Sequence, residues 1–186
     1  MRKYLHAVII LLLIAGVSSA AQNARAKNIS ALFMKRNPKL TAKTADSYSA
    51  IIFEAAEKFK QDPYVIAAVI VHESTVNNRA VSKGGDYGLM QVRWKVHEKA
   101  IKKKFPRVKK ASDMFDARTN IFFGTEILAD CMKKANNDTR GGILKYSAGN
   151  EKLANKVLAT VKELQSKDKT TTKTKTKTLQ RQRKGK

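Results

Sequence analysis

Apolar residues at helical spacing dominate the middle of the chain. Between residues 45 and 60 they recur every three to four positions, which predicts an amphipathic helix. Asp62 and Pro63 follow as an acidic N-cap and a proline at the first helical position, which together form a strong helix start. The helix they open, PYVIAAVIVHES, is apolar on nearly every side, so it is predicted to lie in the core.

The helical period continues in the second half of the chain. It predicts a helix over residues 117–134, broken at residues 136–138, and a shorter helix over residues 138–146. Asn150 is a suitable N-cap for a last helix. The apolar stripe of that helix consists of Leu153, Val157, Leu158, Val161 and Leu164. Since no segment shows a sustained period of two, the sequence predicts a mainly α protein with one helical domain.

The N-terminus has the pattern of a secretory signal peptide over residues 1–21. Basic residues precede an unbroken apolar run at residues 7–17, and small residues follow it, so cleavage is predicted after Ala20 or Ala21. The run is too short for a comfortable membrane span, although an uncleaved anchor is the alternative. Either outcome predicts an exported chain in the periplasm or cell envelope.

The C-terminal residues 165–186 alternate lysine with threonine and contain almost nothing apolar. Such a segment buries too little surface to offset its ordering entropy, so it is predicted to be a disordered tail. Its function is either to tether the protein to an anionic wall or membrane surface, or only to keep it soluble. The predicted domain then covers residues 44–164, and residues 22–43 form an N-terminal linker or extension.

The chain has 186 residues and a net charge of +23, which leaves room for one domain and favours an anionic neighbour. Nucleic acid, acidic phospholipid and anionic wall polymer all fit this charge. Export and the lack of a basic motif interleaved with aromatics argue against a specific nucleic-acid partner. The lysines at residues 102–104 and 109–110 are predicted to form a solvated face.

Three residues with catalytic or metal-binding potential are discounted. Cys131 is the only cysteine and lies in an apolar rhythm, so a buried structural thiol is predicted. His72 and His97 lack the spacing of metal ligands to other His, Cys or Asp residues, so the sequence predicts no metal site and no cofactor. His72 also precedes Glu73 on a helix, where neighbouring side chains point in different directions.

Glu73 is an unusual acid, because it lies near the C-terminal end of the predicted core helix. The helix dipole does not favour negative charge there, and burial raises the pKa of a carboxyl group. A carboxyl that keeps its proton near neutral pH can act as a general acid. The simpler interpretation of Glu73 alone is a carboxylate that caps loop amides or pairs with a lysine.

A set of short motifs in fixed order changes this interpretation. These motifs are Glu73-Ser74 at the end of an apolar helix, Asn77, Arg79-Ala80-Val81-Ser82, Gly88-Leu89-Met90-Gln91, Asn120-Ile121 with Gly124, and Tyr146-Ser147-Ala148-Gly149-Asn150. Over about residues 45–160 the chain resembles the catalytic domain of the SLT-type lytic transglycosylases, relatives of goose-type lysozyme. The resemblance implies a lysozyme-like helical domain that acts on peptidoglycan.

The resemblance also implies roles for individual residues. Glu73 matches the single catalytic acid/base of the family, and the hydroxyl of Tyr146 is expected close to it. Met90 and Gln91 are expected to face the sugar groove, with core packing as the alternative for Met90. The chain departs from the family at Ser147, where asparagine is usual, and at Val76, where an aromatic is usual. The implied substrate-binding residues are Ser74, Gly88, Met90, Gln91, Tyr146 and Asn150.

The implied reaction uses one carboxylate. Glu73 would protonate the glycosidic oxygen between N-acetylmuramic acid and N-acetylglucosamine and then accept the proton of the muramoyl C6 hydroxyl, which yields a 1,6-anhydro sugar. One alternative is a lysozyme-like hydrolase with Asp86 as second carboxylate. Because Gly84-Gly85-Asp86 is turn chemistry, Asp86 is expected to bond its own loop instead. Trp94 is expected either to wall the groove or to pack in the core.

Another alternative is a non-catalytic protein that binds cell wall or serves as a scaffold in an envelope machine. The joint presence of Glu73, Gln91 and Tyr146 argues against it, since a pure binder needs no acid/base. The implied substrate is the peptidoglycan glycan strand. A secretion, conjugation or phage apparatus is a further candidate partner.

Overall fold

The computed structural model describes the backbone of residues 2–184 and the side chains of residues 19–168. Within this range the predicted mainly helical fold is confirmed. The α-helices are α1 Arg2–Arg36, α2 Ala42–Phe59, α3 Pro63–Ser74, α4 Trp94–Lys104, α5 Ala117–Lys134, α6 Thr139–Tyr146 and α7 Glu151–Lys184, with a 3-10 helix at Ala111–Phe115 and two short strands, β1 Asp86–Tyr87 and β2 Val92–Arg93.

The start of α3 follows the predicted capping chemistry. The Asp62 carboxylate accepts a hydrogen bond from the Tyr64 backbone N–H at 2.9 Å, and Pro63 takes the first helical position. From Pro63 to Val71 every residue of the helix is buried, so α3 is the central element of the core. It ends at Thr75, whose left-handed backbone (φ of 52°) turns the chain away immediately after Glu73 and Ser74.

Helix α1 is part of the domain, which corrects the expectation of a linker at residues 22–43. Ile29, Leu32 and Phe33 are at most 1% exposed and pack in the common core. Their spacing of three and four places them on one helical face. They are the few strongly apolar residues of a polar stretch, NARAKNISALFMKR, so the face is narrow and the sequence signal is weak.

A polar cluster joins α1, α3 and α7 at the end of the domain opposite to the C-terminus of α3. The Tyr64 hydroxyl donates to the Asp168 carboxylate at 2.6 Å, and the Asn28 amide donates to the same oxygen at 3.0 Å. The Arg25 guanidinium donates to Asp62 at 2.7 Å and lies 4.2 Å from the centroid of the Tyr64 ring. Burial and the Asp168 hydrogen bond raise the pKa of Tyr64 to about 12.

Because Asp168 takes part in this cluster, the domain extends beyond the predicted boundary at residue 164. Truncation after Gln165 is expected to lower the free energy of unfolding by about 1–2 kcal/mol, since it removes a charged hydrogen-bond acceptor from a partly buried site. Truncation after Asp168 keeps the cluster and is the matched control. Urea denaturation of both forms measures the difference, and equal stability of the two would contradict the role of Asp168.

The two termini carry predictions that the described side chains do not test. Residues 1–18 include the apolar run of the signal peptide, so that prediction lies outside the described side chains. Helix α7 continues to Lys184 through the segment predicted to be disordered, but its side chains are described only to Asp168. The disorder of the tail and its tethering role stay predictions. Within the described part of the chain, no helix is both long and apolar enough to span a membrane.

Helix α4 and the β1–β2 pair build the remaining wall of the domain. The strands are antiparallel, with Asp86 opposite Arg93 and Tyr87 opposite Val92. Helix α4 begins directly after β2, and Ile101 is its only buried residue. The sequence did not predict this helix, because one buried position in a basic segment carries almost no periodic signal.

Candidate active site

Glu73 lies in the last turn of α3 and lines a groove of about 300 Å³. The groove is open to solvent, and its walls come from both strands and from the helices α4 to α7. The lining residues are Glu73, Asp86, Gln91, Val92, Arg93, Val96, His97, Ile127, Tyr146, Ser147, Ala148, Asn150 and Leu153.

Glu73 is a half-buried carboxyl whose pKa is raised to about 7. Burial is the larger cause, because it penalises the charged form, and the negative charge of Asp86 adds to the rise. Among residues 19–168 no basic side chain forms an ion pair with Glu73, and no loop amide donates to it. The simpler interpretation of a capping or ion-paired glutamate therefore does not apply within this part of the chain.

Asp86 also lines the groove but is held by its own loop. The Arg93 guanidinium donates from Nε to Oδ1 at 2.6 Å and from Nη2 to Oδ2 at 3.0 Å, and the Ser82 hydroxyl donates to Oδ2 at 2.7 Å. The hydrogen bonds from Arg93 are the main reason why the pKa of Asp86 is lowered. Asp86 is thus an ionised carboxylate with both oxygens occupied, in the same groove as a Glu73 whose pKa is about 7.

Asn120, on α5, fixes the loop that contains residues 88–91. Its side chain is fully buried and makes three hydrogen bonds: Oδ1 accepts from the Met90 N–H at 2.8 Å, and Nδ2 donates to the carbonyls of Tyr87 at 2.8 Å and Met114 at 3.0 Å. A single amide side chain therefore provides hydrogen-bond partners for backbone groups of the loop and for a carbonyl of the 3-10 helix.

Gly88 serves this packing and does not line the groove, which corrects the expectation of a sugar contact. It is buried, and a Cβ there would lie 2.3 Å from Asn120 Nδ2 and 2.6 Å from the Met114 carbonyl oxygen. Its φ of 77° also favours glycine. The glycine is required by the close approach of Asn120.

Met90 and Ser74 likewise point away from the groove, contrary to their implied substrate-binding roles. Met90 is 0% exposed, and its sulfur lies 3.7 Å from the Thr125 hydroxyl, in the core. A Cβ on Gly124 would come within 2.6 Å of this sulfur, so α5 presses directly against it. Ser74 is 8% exposed, and its hydroxyl donates back to the Ile70 carbonyl of its own helix at 3.1 Å.

Three of the predicted substrate-binding residues do line the groove. The Gln91 side-chain amide donates to the Gly88 carbonyl at 2.9 Å, so the side chain is held by the backbone of its own loop. The Tyr146 hydroxyl donates to the Met90 carbonyl at 2.7 Å, which ties α6 to the loop. Asn150 caps α7 by accepting from the Leu153 N–H at 3.0 Å. Glu73, Gln91, Tyr146 and Asn150 thus share one groove.

Comparison with known families places the chain in a family. Residues 50–169 match the family model described as Transglycosylase SLT domain. The chain belongs to this family. The SLT domain is also similar to the membrane-bound lytic murein transglycosylase E of Buchnera aphidicola subsp. Acyrthosiphon pisum (strain APS), with 28% identity over 116 residues. The match covers 60% of this chain and 51% of the relative, so the chain spans about half the length of that curated protein.

The SLT domain places a strained segment directly after its candidate acid. Thr75 and Val76 have φ values of 52° and 58°, which is a rare conformation for β-branched residues. Val76 is buried, and the Asn37 amide at the end of α1 donates to its carbonyl at 3.2 Å. Such strain is tolerated where the surroundings impose it, often beside functional groups. Helix α1 therefore helps to fix the turn that follows Glu73.

Helix α4 supplies groove residues of the SLT domain that sequence reasoning missed. Val96 is 67% exposed on the groove, and His97 packs edge-on against Phe123 with 5.6 Å between ring centroids. Burial lowers the pKa of His97. Trp94 does not line the groove but packs against the core, which is the second of its two expected roles. His72 bonds Thr160 of α7 at 2.9 Å, so it faces away from Glu73 as expected.

Proposed function

We propose that this SLT domain is a peptidoglycan lytic transglycosylase of the cell envelope, with Glu73 as its single acid/base. The observation that carries the proposal is the state of the carboxylates in the groove. Glu73 has no ion-pair partner among the described residues and a pKa of about 7, while the other lining carboxylate, Asp86, is held by Arg93 and Ser82. The family match and the similarity to a lytic murein transglycosylase support the same reaction class.

The reaction proceeds in two proton transfers. Protonated Glu73 donates to the glycosidic oxygen of the N-acetylmuramic acid to N-acetylglucosamine bond as that bond breaks at C1. The resulting carboxylate then accepts the proton of the muramoyl C6 hydroxyl while its oxygen bonds to C1. The acid regains its proton, no water is consumed, and the product is a 1,6-anhydro sugar. A pKa near 7 suits a group that must both give and take a proton near neutral pH.

Tyr146 supports Glu73 in this mechanism. Burial is the main cause that raises the pKa of Tyr146 well above its usual value, and the Glu73 charge adds to it, so the phenol stays neutral. Since its proton is committed to the Met90 carbonyl, the hydroxyl oxygen is left to accept a hydrogen bond. We assign it the role of orienting the Glu73 proton or a substrate hydroxyl in the groove.

A lysozyme-like hydrolase is the second candidate function, because Asp86 lines the same groove as Glu73. Such a reaction needs a free second carboxylate to position water or to attack C1. Asp86 would have to release a bidentate guanidinium and a serine hydroxyl to do so. The transglycosylase mechanism requires no such rearrangement.

Asp86→Asn distinguishes the two mechanisms. It removes a negative charge near Glu73, so the pKa of Glu73 falls and the alkaline limb of the kcat/KM profile moves to lower pH. At pH 6 we expect activity within a few-fold of wild type, since the acid remains largely protonated. Arg93→Gln is the control, because it keeps the negative charge of Asp86. In this variant the alkaline limb of the kcat/KM profile should stay in place or move to higher pH. Loss of activity in Asp86→Asn at every pH would instead favour the hydrolase.

A further inference from the structure

Helix α4 leaves the groove with a row of lysines along its exposed side. Val96 lines the groove, and Lys99 and Lys103 follow it at spacings of three and seven, which places all of them on one helical face. Lys95 precedes Lys99 by four residues and adds to the same row. We call Lys95, Lys99 and Lys103 the α4 lysine row; all are exposed.

The α4 lysine row carries uncompensated charge. In the part of the chain whose side chains are described, none of its three lysines forms an ion pair, whereas Lys102 pairs with Glu98 at 2.6 Å and Lys104 pairs with Glu126. Residues 93–110 contain nine basic residues and one acidic residue. Like charges four residues apart repel one another on a helix. An anionic partner bound along the row would reduce this repulsion.

The position of the row selects the partner. From Val96 to Lys103 the helix rises about 10 Å. Val96 lines the groove and Lys99 and Lys103 do not, so the row extends beyond the groove rim. A peptidoglycan strand in the groove carries peptide stems on its muramic acid residues, and those stems end in free carboxylates. Of the anionic partners, only a glycan strand bound in the groove is brought next to the row by the groove itself.

We propose that the α4 lysine row binds carboxylates of the peptide stems on a glycan strand that occupies the groove. The inference rests on the proposed function for its substrate. It assigns the row a role in specificity: strands that carry stems bind better than stripped strands, and the difference is electrostatic. Arg93, at the groove end of α4, is held by Asp86 and is not part of the row.

The test compares two triple variants on two substrates. Lys95→Gln/Lys99→Gln/Lys103→Gln removes the row, and Lys35→Gln/Lys39→Gln/Lys43→Gln removes the same charge from exposed lysines that do not line the groove. Both are made in the Glu73→Gln background, so strands stay intact and binding needs no turnover. Labelled soluble glycan strands are used with their stems and after removal of the stems by an amidase.

Loss of the row is expected to weaken binding of stem-bearing strands about fivefold at low salt, as for a few exposed charge pairs. Binding of stripped strands stays unchanged, the control variant behaves like the parent, and high salt removes the difference. Equal losses on both substrates, or an equal loss in the control, would overturn the inference. So would unchanged strand binding together with lost binding to phosphatidylglycerol vesicles, which would make the row a membrane contact.

Failure of the inference is separable from failure of the proposed function. Wild-type protein that cleaves strands while the row variant binds them normally contradicts only the role of the row. Wild-type protein that cleaves neither substrate contradicts the transglycosylase proposal, whereas the binding comparison still decides whether the row recognises stems.

Discussion

Glu73→Gln is expected to reduce glycan cleavage by a factor of at least about 10² to 10⁴, the usual contribution of general acid–base catalysis. The amide keeps the shape of the side chain but can neither donate the proton to the glycosidic oxygen nor accept one from the C6 hydroxyl. Turnover of purified peptidoglycan measures the loss. Glu57→Gln, an exposed glutamate that does not line the groove, is the matched control and should retain full activity.

Glu73→Gln is also expected to change the thermal stability of the protein. Observing this change would show that the variant is folded. The folded-state pKa of Glu73, about 7, lies above its ordinary value, so the stability linked to its protonation is present at acid pH and is lost as pH rises through 7. Glutamine has no such loss. Glu73→Gln should therefore melt at a higher temperature than wild type at pH 8.

Cleavage activity of Glu73→Gln within a few-fold of wild type would rule out Glu73 as the acid.

Asn120→Ala is expected to lower the free energy of unfolding by about 3 kcal/mol or more, because a fully buried side chain with three hydrogen bonds is removed. The Met90 N–H and the carbonyls of Tyr87 and Met114 lose their partner and cannot reach water without rearrangement. Gln91 belongs to this loop, and so does Met90, whose carbonyl accepts the hydrogen bond from the Tyr146 hydroxyl. The kcat of glycan cleavage should therefore fall as well.

Chemical denaturation followed by circular dichroism measures the Asn120 effect. Asn155→Ala is the matched control, since this exposed asparagine only accepts a hydrogen bond from Arg140. It should change the stability by less than about 0.5 kcal/mol. A loss below about 1 kcal/mol for Asn120→Ala would show that the loop does not depend on this amide.

Elements with strong local signals were predictable from the sequence. Asp62, Pro63 and Asn150 satisfy helix termini by local chemistry, so α3 and the start of α7 lie where expected. Helices α1 and α4 were not predicted, because each buries only a few residues on one face and is fixed by tertiary packing. The domain end was placed too early because Asp168 contributes through a contact distant in sequence, with Tyr64.

The residues that line the candidate site were only partly predictable from the sequence. Glu73, Gln91, Tyr146 and Asn150 share the groove, and Asp86 is held by the Ser82 hydroxyl of its own loop and by Arg93 on the neighbouring strand. Ser74, Gly88 and Met90 belong to the same motifs but are buried and do not line the groove. A motif specifies that its loop has a certain shape. It does not say which side chains face outward where the backbone has left-handed residues such as Gly88 and Gln91.

If the substrate provides its own nucleophile, the chemistry of the released ends must show it, so mass spectrometry of muropeptides released by the wild-type protein is the decisive measurement. A single acid at Glu73 beside an occupied Asp86 predicts 1,6-anhydro ends, lighter by one water than hydrolytic products. Release in isotopically labelled water should leave these ends unlabelled. Reducing ends that carry the label would show instead that water attacks C1 and that the protein is a hydrolase.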